Sequence, residues 1–274
     1  MTEEQTFTRD EKNAAKALTT LWESGSFTGK PWLLVVFGEN GTKSDGAGIT
    51  YGKSQTTENS GGLWKLLFES YAGMNGAYVD RFSPYRNALY RKGVSGEKWA
   101  LTNNQAFRNL LIEAGRQDPI MARAQDKHFD DNYFLPALQL CEKFQLSLPL
   151  SLAFIYDFCI HSGPGDRFND GKTEQHLDRW DDDYEAPDTD DQDESEKHWV
   201  MHMCQKRDDF LAGIPHAVTT RYRTGSMLKM MREGGSKAWN LEVPLEVVFL
   251  RRAYVNAPDR RLTLTQEHLD QFSS

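Results

Sequence analysis

Thr8-Arg-Asp-Glu11 reads as a capping box, with Glu11 placed to reach back to the Thr8 backbone. Ala14, Leu18, Leu21 and Trp22 then repeat at helical spacing, which predicts a first helix of about four turns. Gly25, Gly29 and Pro31 stop it and leave Glu23 in its last turn. The period then changes. Trp32 to Phe37 is a short apolar, β-branched run, Asn40-Gly41 is a turn signal, and Ile49-Thr50-Tyr51 returns, so a β-hairpin with a polar tip is predicted.

Beyond about Ser60 strand signals nearly vanish. Leu63, Leu67 and Tyr71 share one helical face, and Phe107, Leu110, Leu111 and Ala114 share another. Asp118 to Phe144 is expected to be one long helix or two abutting ones, since Pro136 would kink or break it. Leu148 to Ser162 is apolar nearly all round, as in a helix through the middle of a core. Glu196 to Leu211 and Pro215 to Arg232 predict two more helices, and from about residue 253 the chain reads as a polar tail. The pattern specifies a mostly helical α+β fold with one small hairpin, in a single domain over 1–274.

Composition narrows the function. Forty acidic against 32 basic residues give a formal charge of −8, which argues against a nucleic-acid-coating protein. Residues 178–196 alone contribute eleven acids and one base, and the remainder sums to +2, so the acidity belongs to one insertion, expected to be a solvated, mobile loop. The longest apolar run, Leu146 to Ile160, is interrupted by Asp157 and too short to insert into a membrane. Residues 1–12 show no basic region followed by an apolar stretch, so the protein is expected to be made in the cytoplasm without a classical signal peptide. Cys141, Cys159 and Cys204 lack a closely spaced pair and are expected to be buried free thiols.

Two carboxylates then stand out. At a helix C-terminus the free carbonyls disfavour a negative charge by roughly 0.3–1 kcal/mol. Glu23 there, beside Trp22, suits a carboxylic acid that stays protonated and donates, although a plain exposed glutamate is the alternative. Asp45 opens the glycine-rich stretch from Ser44 to Gly52, which leaves space for a polymer or a water, or is only a turn. Together an acid at a helix end and a carboxylate on the following hairpin are what cleavage of a glycosidic bond requires, with Thr50 able to hold the water. Glu39 is a rival acid, ranked lower because a flexible turn offers no means of keeping it protonated.

Leu21-Trp-Glu-Ser-Gly25, followed by Asp45-Gly-Ala-Gly-Ile-Thr50-Tyr-Gly-Lys-Ser-Gln55-Thr-Thr57, resembles the catalytic region of the family 46 chitosanases and related peptidoglycan-cleaving domains of the lysozyme-like superfamily. Gln117-Asp118 to Pro136-Ala137-Leu138, Ile155 to Gly165, Lys206 to Phe210 and Trp239 to Leu245 continue the likeness in the family's order, over roughly residues 10 to 250. The resemblance implies a two-lobed fold with a cleft between the lobes, Glu23 as general acid, Asp45 as general base and Thr50 as the water-positioning residue. It implies inversion at the anomeric centre, and it makes Gln55 and Thr57 substrate-binding or supporting residues. Asp157, in the most apolar helix, needs a partner, which the resemblance supplies as Arg207. His161, one helical turn after Asp157, is a core histidine or a substrate contact.

The expected substrate is a β-1,4-linked amino-sugar polymer, peptidoglycan or chitosan. The missing leader favours peptidoglycan, with the protein acting on cell wall as a delivered antibacterial effector or at lysis, and with a cognate inhibitor as a conceivable partner. A binding module that grips glycans without cutting them is the other class, and the acid-base pair argues against it. No cofactor or metal is expected: His198 and His202 lie one turn apart but lack a third ligand, and Asp188 to Asp193 lacks the glycine of a calcium loop.

Overall fold

The computed structural model describes residues 7–36, 48–53, 55–58, 60–95, 101–164, 172–214, 217–251 and 255–272. The reciprocal cap forms as the sequence specifies: Glu11 N donates to Thr8 Oγ1 at 3.3 Å and Thr8 N donates to Glu11 Oε2 at 2.6 Å. Helix α1 covers Arg9–Ser24 and buries Ala14, Ala17, Leu18, Leu21 and Trp22. The chain divides into two compact units, one of residues 1–22 with 132–274 and one of residues 23–131.

In the unit of residues 23–131, the predicted hairpin gains a strand. β1 (Leu34–Val36), β2 (Ile49–Tyr51) and β3 (Thr56–Thr57) form an antiparallel sheet in that order, with Thr50 opposite Val35 on one side and Thr57 on the other. β1 is shorter than the apolar run, because Pro31 and Trp32 form a turn. The hairpin tip and Asp45 lie outside the described residues. Ile49 and Tyr51 enter the core with Leu63, Leu67, Tyr71, Phe107 and Leu111, and the Tyr51 hydroxyl donates to Leu111 O at 2.8 Å. Helix α2 (Gly62–Lys65) continues into a π-turn, Leu66–Tyr71. After α3 (Val79–Phe82) and α4 (Arg86–Ser95) come α5 (Gln105–Gln117), capped by Asn104, and α6 (Pro119–Phe129), capped by Asp118. Asp118 also accepts Ala77 N at 2.8 Å and the Tyr71 hydroxyl, so one carboxylate fixes three elements.

The helical stretch from 118 to 144 resolves into α6, a π-turn at Asp130–Phe134, and α7 (Leu135–Lys143). Pro136 falls in the first turn of α7, where its missing N–H breaks no intrahelical bond.

In the unit of residues 1–22 and 132–274, α8 (Pro149–Ser162) is buried from Pro149 through Cys159. α9 (Lys172–Asp181), α10 (Gln192–Ala212), α11 (Tyr222–Glu233) and α12 (Gly235–Trp239) follow. All three cysteines are free and buried, as expected.

Two expectations are corrected here. The acidic segment is not a free loop: its ends lie in α9 and α10, Asp191 caps α10, and buried Glu196 accepts Ser147 N, Ser147 Oγ and Leu148 N, each at 2.8 Å. Those bonds satisfy the start of α8, which has no side-chain cap of its own. The C-terminal stretch is no unstructured tail either. β4 (Leu245–Phe249) pairs antiparallel with β5 (Arg260–Leu264), and α13 (Gln266–Asp270) packs Leu269 inside, where its carbonyl accepts Asn13 Nδ2 at 3.1 Å. The polar residues seen in sequence are the outward face of β5, whose Leu264 is fully buried.

Candidate active site

Glu23 occupies the last turn of α1, partly buried, and that turn holds no basic residue. The carbonyl before it is capped: Trp22 O, one of the free acceptors at the helix end, receives the Tyr222 hydroxyl at 2.8 Å. Tyr222 begins α11 and is followed by Arg223, so the end of α1 is tied to the helix that carries this arginine.

Arg223 is the site residue that sequence reasoning missed. Asp157 lies fully buried in α8, as its sequence context demanded, and the expected partner is in place: Arg207 Nη1, from α10, donates to Asp157 Oδ2 at 2.8 Å. Arg223 Nε donates to Asp157 Oδ1 at 3.0 Å, and Arg223 Nη2 donates to the same oxygen. Burial alone would push the Asp157 carboxyl up, but Arg223 and Arg207 outweigh it and hold the group below the usual carboxylate range. One carboxylate thus faces two guanidiniums. Nε and Nη2 of Arg207 have no hydrogen-bond partner among the described residues, and the guanidinium lies over the Phe158 ring at 4.5 Å. Nothing in the sequence singled out Arg223: it stands on an amphipathic helix, where Thr224, Ser226, Met227 and Leu228 are buried with it.

A second carboxylate fastens the same helices. Asp208, on α10, accepts Arg221 Nε at 3.1 Å and the Thr224 hydroxyl at 2.5 Å. His161 stands in the last turn of α8, with Nδ1 buried and unpartnered among the described residues. Burial, then Arg207 and Arg223, push its imidazole down to about 3, so it is neutral at working pH.

Thr50 is the central residue of β2 and is buried, and its hydroxyl has no partner among the described residues. Gln55 adopts φ 59° and donates from Nε2 to Gly52 O at 3.0 Å. Thr57, on β3, donates to Ser60 Oγ at 2.7 Å. Both are thus engaged in the local turns that shape this edge of the sheet. Asp45 and Glu39 lie outside the described residues.

Gly52 shows how tightly β2 is held. It has φ 88°, and a Cβ there would fall 2.6 Å from the Gln125 amide. No cluster of three or more metal-ligating side chains occurs among the described residues, and His198 instead bonds the Tyr184 hydroxyl at 3.2 Å. No described helix is long and apolar enough to cross a membrane.

The model of glycosyl hydrolase family 46 matches residues 35–245, a span that contains Asp45, Thr50, Asp157, Arg207 and Arg223 and begins after Glu23. A chitosanase of Bacillus subtilis (strain 168) is 24% identical over 167 residues, which cover 58% of this chain. The match spans about half of that relative, 53% of its length. Among solved structures, a Gynuella sunshinyii GH46 chitosanase in complex with chitotetraose superposes at a TM-score of 0.74 with 18% identity, covering 94% of this chain and 99% of the other. A mutant chitosanase from Bacillus subtilis MY002, complexed with 6 GlcN, also gives 0.74 at 21% identity, covering 95% and 100%. These superpositions match the mostly helical α+β fold with its small antiparallel sheets.

Proposed function

The chain belongs to glycosyl hydrolase family 46, and from that premise we propose that it is an endo-acting chitosanase that hydrolyses β-1,4-linked glucosamine polymers by single displacement. The family match, running through Asp45 and Thr50, is the observation that carries this reading. Glu23 protonates the glycosidic oxygen as the bond to the leaving sugar breaks. Asp45 takes a proton from water, and the Thr50 hydroxyl orients that water toward the opposite face of the anomeric carbon. The Asp157, Arg207 and Arg223 cluster has a positioning role: it locks α8, α10 and α11 together, and α11 presents Tyr222 to the end of α1.

Peptidoglycan, preferred on sequence alone, is set aside in favour of chitosan. That preference came from the N-terminal residues, which carry no information about the shape of the site. The solved relatives were captured with chitotetraose and with 6 GlcN, and the curated relative is a chitosanase. The effector role and the cognate inhibitor rested on the same preference and lose their support with it.

Reducing-end release on chitosan and on peptidoglycan, with wild type beside Glu23→Gln, tests the reading. Wild type is expected to cut chitosan, and Glu23→Gln to lose about 10²–10⁴-fold in rate, the usual contribution of a general acid. Release from peptidoglycan alone, or full activity in the variant, would overturn it.

A further inference from the structure

β2 is three residues long, and buried side chains rather than a long ladder hold both of its ends. At its exit, Lys53 N donates to Gln125 Oε1 and Gln125 Nε2 donates to Pro31 O, each at 2.9 Å. At its entrance, Ile49 N donates to Glu58 Oε2 at 3.2 Å while Glu58 N donates to Ile49 O at 2.7 Å. One residue thus satisfies both main-chain groups of Ile49.

The Glu58 side chain is 2% exposed and is itself keyed into a second segment. Oε2 also accepts the Thr102 hydroxyl at 2.7 Å, and Oε1 accepts Leu101 N at 3.2 Å. All three donors are neutral, and both oxygens are needed as acceptors. A glutamine cannot replace this group, because its NH₂ would have to face either the Leu101 N–H or the Ile49 and Thr102 donors. Between the two anchors stands Thr50, its buried hydroxyl unpartnered among the described residues. Leaving such a group unsatisfied costs about 1–3 kcal/mol.

We propose that Glu58 is a positioning residue for the hydrolytic reaction: by bonding Ile49 while locked to the 101–102 turn, it sets the placement of β2 so that the Thr50 hydroxyl meets the attacking water. This rests on the chitosanase reading above. A shift of β2 moves that hydroxyl off the water's line of attack without altering how sugars are bound. The effect therefore falls on turnover.

The experiment is a double-mutant cycle on the full chain with Glu58→Gln, Thr50→Val and the double variant. Steady-state rates on a glucosamine hexamer are measured beside thermal midpoints. Misplacement of this kind is expected to lower kcat by about 10- to 100-fold in Glu58→Gln, with KM changed less than about twofold. In the Thr50→Val background the same change should cost less than about threefold, because the group it places is already gone. Should Glu58→Gln fail to fold, Thr102→Val removes one donor only and should show the same coupling to Thr50 at smaller size. A wild-type kcat in folded Glu58→Gln, or an equal loss with and without the Thr50 hydroxyl, overturns the role of Glu58 alone. A wild type inactive on glucosamine polymers overturns the activity and this role together.

Discussion

Arg207 and Asp157 meet at 2.8 Å with side chains only 1% and 0% exposed, and Arg223 joins the same carboxylate from α11. Removing one partner of such a pair strands a charge out of reach of water, and the usual cost is about 3–5 kcal/mol. Asp157→Ala, which takes the shared carboxylate from both Arg207 and Arg223, is therefore expected to lower the unfolding free energy in urea by about that amount. A loss under about 1 kcal/mol, the scale of an exposed pair, would show that the cluster is not sealed.

Acid should weaken the protein before its carboxylates titrate. Burial, then Lys65, push the His128 imidazole down to about 4, and burial followed by Arg207 and Arg223 push His161 down to about 3. An unfolded histidine takes its proton near pH 6.5. Between those values the unfolded chain binds more protons, so stability is full above about 6.5 and falls with pH, by up to about 1.4 kcal/mol per unit for each histidine. His128, at 2% exposure, carries the firmer share, since His161 is partly exposed. Asp157 acts with the same sign but lower down, its contribution vanishing only as pH falls through its depressed folded value. Urea denaturation between pH 7 and 4.5 should show this slope, and His128→Gln should remove about half of it. A flat profile in wild type would mean that the imidazoles reach solvent.

The acidic segment should separate into two kinds of carboxylate. Glu196 is buried and bonds the start of α8 three times, so Glu196→Gln turns an amide against one of those donors and should cost about 1–3 kcal/mol. Asp182, Glu185, Asp188 and Asp190 are exposed, and changing all four to amides should leave the denaturation midpoint nearly unchanged. What the amides should alter is attraction for a cationic polymer. Binding of chitosan to a Glu23→Gln background should weaken at low salt, and the difference should fade as salt screens it. Destabilisation by the four exposed changes as large as by Glu196→Gln would contradict this division.

The sequence exposed what local chemistry controls. The cap at Thr8 and Glu11, the end of α1 at Glu23 and the buried helix around Asp157 followed from spacing, because each depends on neighbours within a turn or two. Asp157 also announced that it needed a partner, since a charge cannot lie alone among Phe154, Ile155 and Phe158. The second partner was invisible: Arg223 is 66 residues away and reads as one more base on an amphipathic helix. Glu58 was missed likewise, its three donors coming from 9, 43 and 44 residues away. β5 escaped because an edge strand buries one face only, and polar residues on the other dilute the pattern.

The stereochemistry of the product is the sharpest check on how the two carboxylates act. An enzyme that attaches the sugar to itself needs its carboxyl groups about 5–5.5 Å apart and returns the original anomer, whereas one that leaves room for water, at roughly 6.5–9.5 Å, inverts it. Glu23 lies in the last turn of a helix that precedes the sheet, and Asp45 precedes Thr50 by five residues in the sequence. In the proposed function the Thr50 hydroxyl orients a water toward the face opposite the leaving sugar, which is the geometry of direct displacement. Proton NMR of glucosamine hexamer hydrolysis, recorded within the first minutes, should therefore show the α-anomer growing first and the β-anomer appearing only by mutarotation. Thr50→Val should slow that signal without changing which anomer leads. Initial accumulation of the β-anomer would mean two displacements, and Asp45 would then have to be the nucleophile rather than the base.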